Sequence, residues 1–123
     1  QGVNGAAYTL MAFDCGNYEI PDAMTGKQTT RNKLIDFLVK QQLNNGGWNY
    51  MGTEADVDVT AMVIQALAPY YNEKQNVKES IDKGLANLST LQKSDGAYGN
   101  TSDSNCESTA QVLTIWNENK NWW

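Results

Sequence analysis

Residues 57–71 read VDVTAMVIQALAPYY, and this stretch decides the fold class. Apolar side chains occur on nearly every side of the helix that it would form, and a helix tolerates this only where neighbouring elements cover it. No segment of the chain shows the sustained alternation of apolar and polar residues that predicts a β-strand. The stretch therefore predicts an inner helix of an all-α protein, which Pro69 would kink or stop.

The segments on either side, residues 30–43 and 77–92, have a different pattern. Their apolar side chains recur at steps of three and four residues, with charged and amide side chains between them. This spacing predicts helices with one buried and one exposed face. Outer helices of this kind that alternate with inner helices predict a stack of α/α hairpins.

The chain also matches itself at a spacing of about 50 residues, which is typical of stacked helical repeats. Residues 42–48, QLNNGGW, correspond to residues 92–98, QKSDGAY, and the TAMV of residues 60–63 corresponds to the TAQV of residues 109–112. Residues 6–13, AAYTLMAF, match the beginning of the inner helix. The sequence therefore predicts about two and a half hairpin units. We expect residues 1–123 to be a single domain and a fragment of a larger protein.

Composition excludes several classes of function. Fourteen acidic and nine basic residues give a net charge of −5, and no cluster of basic residues is present to bind nucleic acid. No apolar run approaches the ~20 residues of a transmembrane helix. Without histidine, Cys15 and Cys106 cannot complete a zinc site, so no metal and no cofactor are predicted. We expect both thiols to be buried or half-buried, at opposite ends of the helical layer and without a disulfide.

Residues 83–98 read KGLANLSTLQKSDGAY, and residues 33–48 read KLIDFLVKQQLNNGGW. Both segments resemble the QW motif of the squalene-cyclase and prenyltransferase repeat. That motif runs from a basic residue and Gly through an aromatic-Leu pair and Gln to Gly-x-Trp, and Leu34, Asn87 and Tyr98 are departures from it. The resemblance implies a partial (α/α) toroid. In it, the motif Gln would hydrogen-bond the backbone at the start of the next inner helix, and the motif aromatic would fill the gap between hairpins.

Residues 56–70 read DVDVTAMVIQALAPY, and residues 104–116 read SNCESTAQVLTIW. Both sequences are similar to repeats in surface or secreted proteins of Gram-positive bacteria, where the repeat accompanies a transcobalamin-like domain. This resemblance implies an extracellular or cell-surface location. It also implies a non-catalytic binding or interaction module.

Asp56 and Asp58 allow two interpretations. They match the first and middle acids of the DxDD motif of class II terpene cyclases, in which the middle Asp is the general acid, but Val59 replaces the third acid. Alternatively, Asp58 corresponds to Glu107 of a predicted capping box and would face the free amides of the first helical turn. The capping interpretation is favoured, so no catalytic residue is preferred. An enzyme that uses Asp58 as general acid is the alternative.

Aromatic and amide side chains before the inner helices are candidates for contact with a small molecule, a glycan or a peptide. These are Trp48, Tyr50, Tyr98, Asn100 and Asn105. The competing interpretation makes the aromatics core residues and the asparagines turn residues. Two and a half units also leave inner-helix surface uncovered. Trp116, Trp122 and Trp123 are therefore predicted to contact other domains or further copies of the repeat, as in a homo-oligomer.

Overall fold

The computed structural model describes residues 2–16, 18–19, 30–99, 108–109 and 112. Four α-helices follow one another within residues 2–99: α1, Val3–Cys15; α2, Arg31–Lys40; α3, Val57–Leu67; and α4, Gln75–Leu91. Ser108, Thr109 and Val112 are also helical. A short 3₁₀ segment, Ala68–Tyr70, follows α3. No strand occurs among the described residues, which confirms the all-α class, and none of their helices is long and apolar enough to cross a membrane.

Helix α3 lies at the centre of the described core. Every side chain of α3 is buried except those of Asp58 and Gln65, as its apolar composition predicts. Helices α1 and α4 pack against α3, and α2 packs against both α1 and α4. The start of α3 is therefore held between neighbours, and side chains on α1 reach the same end of the molecule.

The capping group of α3 is Asp56. Its backbone is extended, and its carboxylate accepts a 2.9 Å hydrogen bond from the backbone N–H of Val59. Asp58 lies in the first turn, as the capping interpretation requires, but it is the second residue of the helix and not the third. Helix α2 begins in the same way, because the hydroxyl of Thr30 accepts from the N–H of Lys33 at 3.1 Å. Both helices thus satisfy a free first-turn amide with the side chain of the preceding residue.

The loops after α2 and α4, residues 42–48 and 92–98, have the same backbone geometry. Corresponding hydrogen bonds have equal lengths: Leu43 N to Gly47 O and Lys93 N to Ala97 O at 2.8 Å, and Gly46 N to Leu43 O and Gly96 N to Lys93 O at 2.9 Å. Gly46 and Gly96 have φ of 95° and 86°, a conformation that only glycine adopts readily. The N–H groups of Trp48 and Tyr98 each donate to a threonine hydroxyl, Thr60 and Thr109, at 2.9 Å.

Gln42 joins its loop to the neighbouring outer helix. Its amide donates to Gly46 O at 2.7 Å and to Ser80 O at 2.8 Å, and the hydroxyl of Ser80 donates to Gln42 Oε1 at 2.9 Å. We expected this Gln to bond the start of the next inner helix. It instead connects the end of α2 to α4, because Ser80 offers it both a carbonyl acceptor and a hydroxyl donor.

Cys15 lies at the C-terminal end of α1, where its thiol is free and exposed. The expectation of a buried or half-buried thiol is therefore wrong for this residue. Cys106 lies outside the described residues.

Candidate functional site

The aromatic candidates separate into core and surface residues. Trp48 is fully buried, and its indole N–H donates a 2.7 Å hydrogen bond to the carbonyl of Leu38. Tyr98 is also buried. Neither ring offers a surface to a ligand, so both fit the interpretation as core residues. Tyr50 is 61% exposed and is the aromatic candidate that a ligand can contact.

The remaining sequence candidates lie outside the described residues. These are Asn100 and Asn105 for ligand contact, and Trp116, Trp122 and Trp123 for partner contact.

A pocket of about 250 Å³ lies at the start of α3 and contains Tyr50. Its walls come from α1, from the loop before α3 and from the first turns of α3. The lining residues are Asn4, Tyr8, Tyr50, Asp56, Asp58, Val59 and Met62. The pocket thus brings both aspartates of the sequence analysis together with an exposed aromatic residue.

The loop that carries Tyr50 is held by its own polar groups. The side chain of Asn49 accepts from the N–H of Tyr50 at 2.8 Å and donates to the carbonyl of Glu54 at 2.9 Å. At the base of the loop, the N–H of Asp56 donates to the carbonyl of Trp48 at 2.9 Å. These bonds shape the turn without any contribution from the Tyr50 ring, which is free to face solvent.

The two aspartates of the pocket have different environments. Asp56 Oδ1 accepts the capping bond from Val59 N. Asp58 Oδ1 is buried and accepts no hydrogen bond, and Asn4 Oδ1 on α1 is in the same condition. An acceptor that is buried without a donor costs about 1–3 kcal/mol, and more when it is charged. Two residues of the pocket lining therefore each carry a buried acceptor that no described donor satisfies.

No metal site is evident in the described part of the chain, where no group of three Cys, Asp or Glu side chains converges. The two carboxylates of the pocket do not supply enough ligands for a calcium ion, which takes six to eight oxygen ligands.

A second pocket, of about 420 Å³, lies between the end of α2 and α4. It is lined by Val39, Gln42, Leu43, Asn44, Asn76, Glu79, Ser80 and Lys83. The side chains of Gln42 and Ser80 are already bonded to one another there. None of the lining residues has a buried polar side-chain atom without a partner, so this pocket provides a weaker argument for a ligand.

The sequence reasoning missed Asn4 and Tyr8, the contributions of α1. Tyr8 is 59% exposed although it lies in a helix that packs on the core. A large aromatic side chain in the small-residue segment of residues 5–9 was the only available signal. Its proximity to the start of α3 depends on packing between elements about fifty residues apart in sequence.

Comparison of the chain with models of protein families, with curated proteins and with solved structures gives no match. The function is therefore argued from the pocket itself.

Proposed function

We propose that this chain is a non-catalytic binding module whose ligand site is the pocket at the start of α3. One observation carries the proposal: a concave site at the start of α3 is lined by the exposed side chains of Tyr8 and Tyr50 beside the carboxylates of Asp56 and Asp58. Concave sites lined by aromatic side chains and a few polar groups are where small molecules usually bind.

The same pocket gives less support to acid catalysis by Asp58. A cyclase must enclose a long apolar substrate, and its general acid needs a neighbouring carboxyl group to make it strongly acidic. The pocket volume of about 250 Å³ is below the roughly 300–1,000 Å³ that drug-sized ligands occupy. At the third position of the acid motif, Val59 supplies a buried apolar side chain. A small polar group suits this pocket better than a polyene.

The scaffold of the module is proposed to be an arc of α/α hairpins of the squalene-cyclase and prenyltransferase type. The matched hydrogen bonds of the two loops, residues 42–48 and 92–98, support this repeat. The motif Gly84 supports it too, because Trp48 and Ile64 lie so close that a Cβ atom on this glycine would be 2.9 Å from each. On this proposal the motif residues hold the hairpins together, and the pocket residues lie outside the motif.

An exported, cell-surface location is part of the same proposal. It is supported by the resemblance of residues 56–70 and 104–116 to repeats of Gram-positive surface proteins. Other domains or copies of the repeat are the proposed partners of the tryptophans near the end of the chain.

A ligand screen with ¹⁵N-labelled protein tests the proposal. The panel contains a methyl glycoside, a short peptide, a diamine and geranylgeraniol, and the chemical shifts of the amides of Tyr8, Tyr50 and Asp58 are followed. We expect at least one compound to move these three signals in a saturable manner, with the shifts abolished by Tyr50→Ala and retained in Asp36→Asn, which changes an exposed residue of α2.

A second experiment tests for cyclase activity. The protein is incubated with squalene and with geranylgeranyl diphosphate, and cyclised products are sought by mass spectrometry. Products that disappear in Asp58→Asn would replace the binding proposal with the cyclase alternative. A panel that leaves the pocket signals unmoved would refute ligand binding at this pocket.

A further inference from the structure

The loop between α2 and α3 contains an Asn-Gly step, in which Asn45 is exposed and Gly46 follows it. We infer that Asn45 is a site of spontaneous deamidation in the folded protein, and that the resulting aspartate fits the loop. This modification site is separate from the proposed ligand site, because Asn45 does not line the pocket at the start of α3.

Deamidation of Asn45 needs only water as a co-reactant. The backbone nitrogen of Gly46 attacks Asn45 Cγ, so a bond forms between these two atoms while the Cγ–Nδ2 bond breaks. Nδ2 takes up the proton of the Gly46 N–H and leaves as ammonia, and a five-membered imide ring remains. Water then opens the ring at the Cγ–N bond to give aspartate, or at the other C–N bond to give isoaspartate. Glycine favours the first step, because it has no Cβ atom to obstruct the approach.

The chain contains a second Asn-Gly step, Asn4-Gly5, in a different backbone environment. Asn4 lies in the first turn of α1, and its Oδ1 atom is buried. In an α-helix the Cα–Cβ bond tilts toward the N-terminus of the helix, away from the amide of the following residue. Asn45 lies in a loop, where water reaches its side chain. The backbone therefore disfavours ring closure at Asn4 and permits it at Asn45.

A hydrogen bond in the loop prepares the side chain of Asn45 for the attack. Its Oδ1 atom accepts from the backbone N–H of Gly47 at 3.1 Å. This oxygen gains negative charge when the nitrogen of Gly46 adds to Cγ, and an N–H donor stabilises an oxygen of this kind. The N–H of Gly46 donates to Leu43 O at 2.9 Å, and this bond must break before the attack. We therefore expect the reaction to be slower in the folded loop than in the unfolded chain, although faster than at Asn4.

The second loop shows that an aspartate is compatible with this position. Asp95 corresponds to Asn45 in the repeat, and its Oδ1 atom accepts from the N–H of Ala97 at 3.0 Å, as Asn45 accepts from Gly47. An aspartate at position 45 would keep this bond and strengthen it, since the acceptor becomes charged. Conversion removes the donor Nδ2, which lies 3.5 Å from Thr53 O. The modified protein thus keeps the turn and loses one long contact to the segment before α3.

Incubation of the protein at 37 °C and pH 8, folded and in urea, tests the inference. Samples taken over several weeks are digested, and the peptides that contain Asn4 and Asn45 are compared by mass spectrometry, because conversion of an amide to a carboxylate raises the mass. We expect the folded protein to convert Asn45 at least about fivefold faster than Asn4, since the helix directs the Asn4 side chain away from the next amide. In urea, where the helix is lost, we expect the two rates to agree within about twofold.

Two substitutions at position 45 are the matched variants. Asn45→Gln keeps an amide but lengthens the side chain by one methylene group, so the five-membered ring cannot form, and its peptide should keep its mass. Asn45→Asp represents the product. We expect its thermal midpoint to be no lower than that of the parent. The N–H of Leu43, which donates to Gly47 O at 2.8 Å, should keep its protection from hydrogen exchange.

Four other results would contradict the inference. Equal conversion of Asn4 and Asn45 in the folded protein would refute the role of the loop. Conversion of both residues in urea, with neither changed in the folded protein, would refute modification of the native state. A difference in urea as large as that in the folded protein would assign the effect to the neighbouring residues in the sequence. A lower thermal midpoint for Asn45→Asp would refute the fit of the product.

Discussion

The hydroxyl of Tyr70 donates a 2.6 Å hydrogen bond to Asp14 Oδ2, although the two residues are separated by 56 positions. The other oxygen of the same carboxylate, Oδ1, accepts from Arg31 Nε at 2.9 Å. Arg31 also donates to the backbone carbonyls of Phe13 and Tyr18. One carboxylate at the end of α1 therefore joins the start of α2 and the 3₁₀ segment after α3.

This contact predicts a loss of stability at high pH. Burial, together with the hydrogen bond to Asp14, raises the pKa of the Tyr70 hydroxyl. An unfolded tyrosine ionises near pH 10, whereas the folded Tyr70 keeps its proton to higher pH. The stabilisation is therefore complete below about pH 10 and is lost as the pH rises above it.

Urea unfolding of the parent chain and of Tyr70→Phe at pH 8 and pH 11 measures this effect. The variant removes one partly buried hydrogen bond and should be less stable at pH 8 by about 1 kcal/mol. The difference between the two proteins should shrink at pH 11. A difference that is equal at both pH values would contradict the assignment.

Gly84 of α4 is predicted to resist replacement by alanine. Alanine normally favours a helix over glycine by about 1 kcal/mol. A Cβ atom at Gly84, however, would lie 2.9 Å from Ile64 Cδ1 and 2.9 Å from Trp48 Cζ3. Overpacking of this kind costs typically about 1–3 kcal/mol, so we expect Gly84→Ala to lower the stability.

Ala86→Gly is the control for Gly84→Ala, because it measures the propensity effect alone at an exposed position of the same helix. It should cost about 1 kcal/mol in chemical denaturation. If Gly84→Ala is instead more stable than the parent, the close approach of Trp48 and Ile64 is not rigid.

Gln42 and Gln92 occupy the same place in the two QW-like segments but should differ in energetic importance. Gln42 makes three hydrogen bonds, two of them to Ser80 on α4. Gln92 is exposed and donates to Gly96 O within its own loop at 2.9 Å.

We therefore expect Gln42→Ala to lower the unfolding free energy by about 1–3 kcal/mol. Gln92→Ala, as the matched substitution, should stay within about 0.5 kcal/mol of the parent. Thermal and urea unfolding of the two variants decide the question. Equal losses would mean that the bonds between Gln42 and α4 add nothing.

Asp56 and Asp58 are two residues apart, and their substitution should affect stability to different extents. Asp56→Ala removes the cap of α3 and should cost about 1 kcal/mol. Asp58→Asn loses about 0.3–1 kcal/mol of favourable interaction with the helix dipole. It also removes the charge from a buried oxygen that has no donor, and an unpaired buried group costs more when it is charged.

Because these two effects oppose each other, we expect Asp58→Asn to change the stability of the unliganded protein less than Asp56→Ala does. Differential scanning calorimetry of the two single variants tests the pair. A loss of stability in Asp58→Asn as large as that in Asp56→Ala would mean that Asp58 has a structural partner.

Local patterns predicted the helices well, because the deciding information lies within each segment. The apolar composition of residues 57–71 predicts a buried helix, and α3 is buried on nearly all sides. In residues 42–48 and 92–98 the glycines lie where the loops require positive φ. The alignment of Asp58 with Glu107 placed Asp58 at the third helical position, whereas it is the second residue of α3. The bond from Asp56 N to Trp48 O accompanies an extended backbone at Asp56, so the helix starts at Val57.

The sequence by itself determined the all-α class, the central position of α3 and the presence of two aspartates at its start. These features depend on interactions between residues close in the chain and on the total apolar content. Only the tertiary structure decided that Trp48 is in the core while Tyr50 is exposed, and that Asn4 and Tyr8 complete the pocket. Those outcomes depend on how α1 packs against α3, and contacts between distant segments leave no periodic signal in a single sequence.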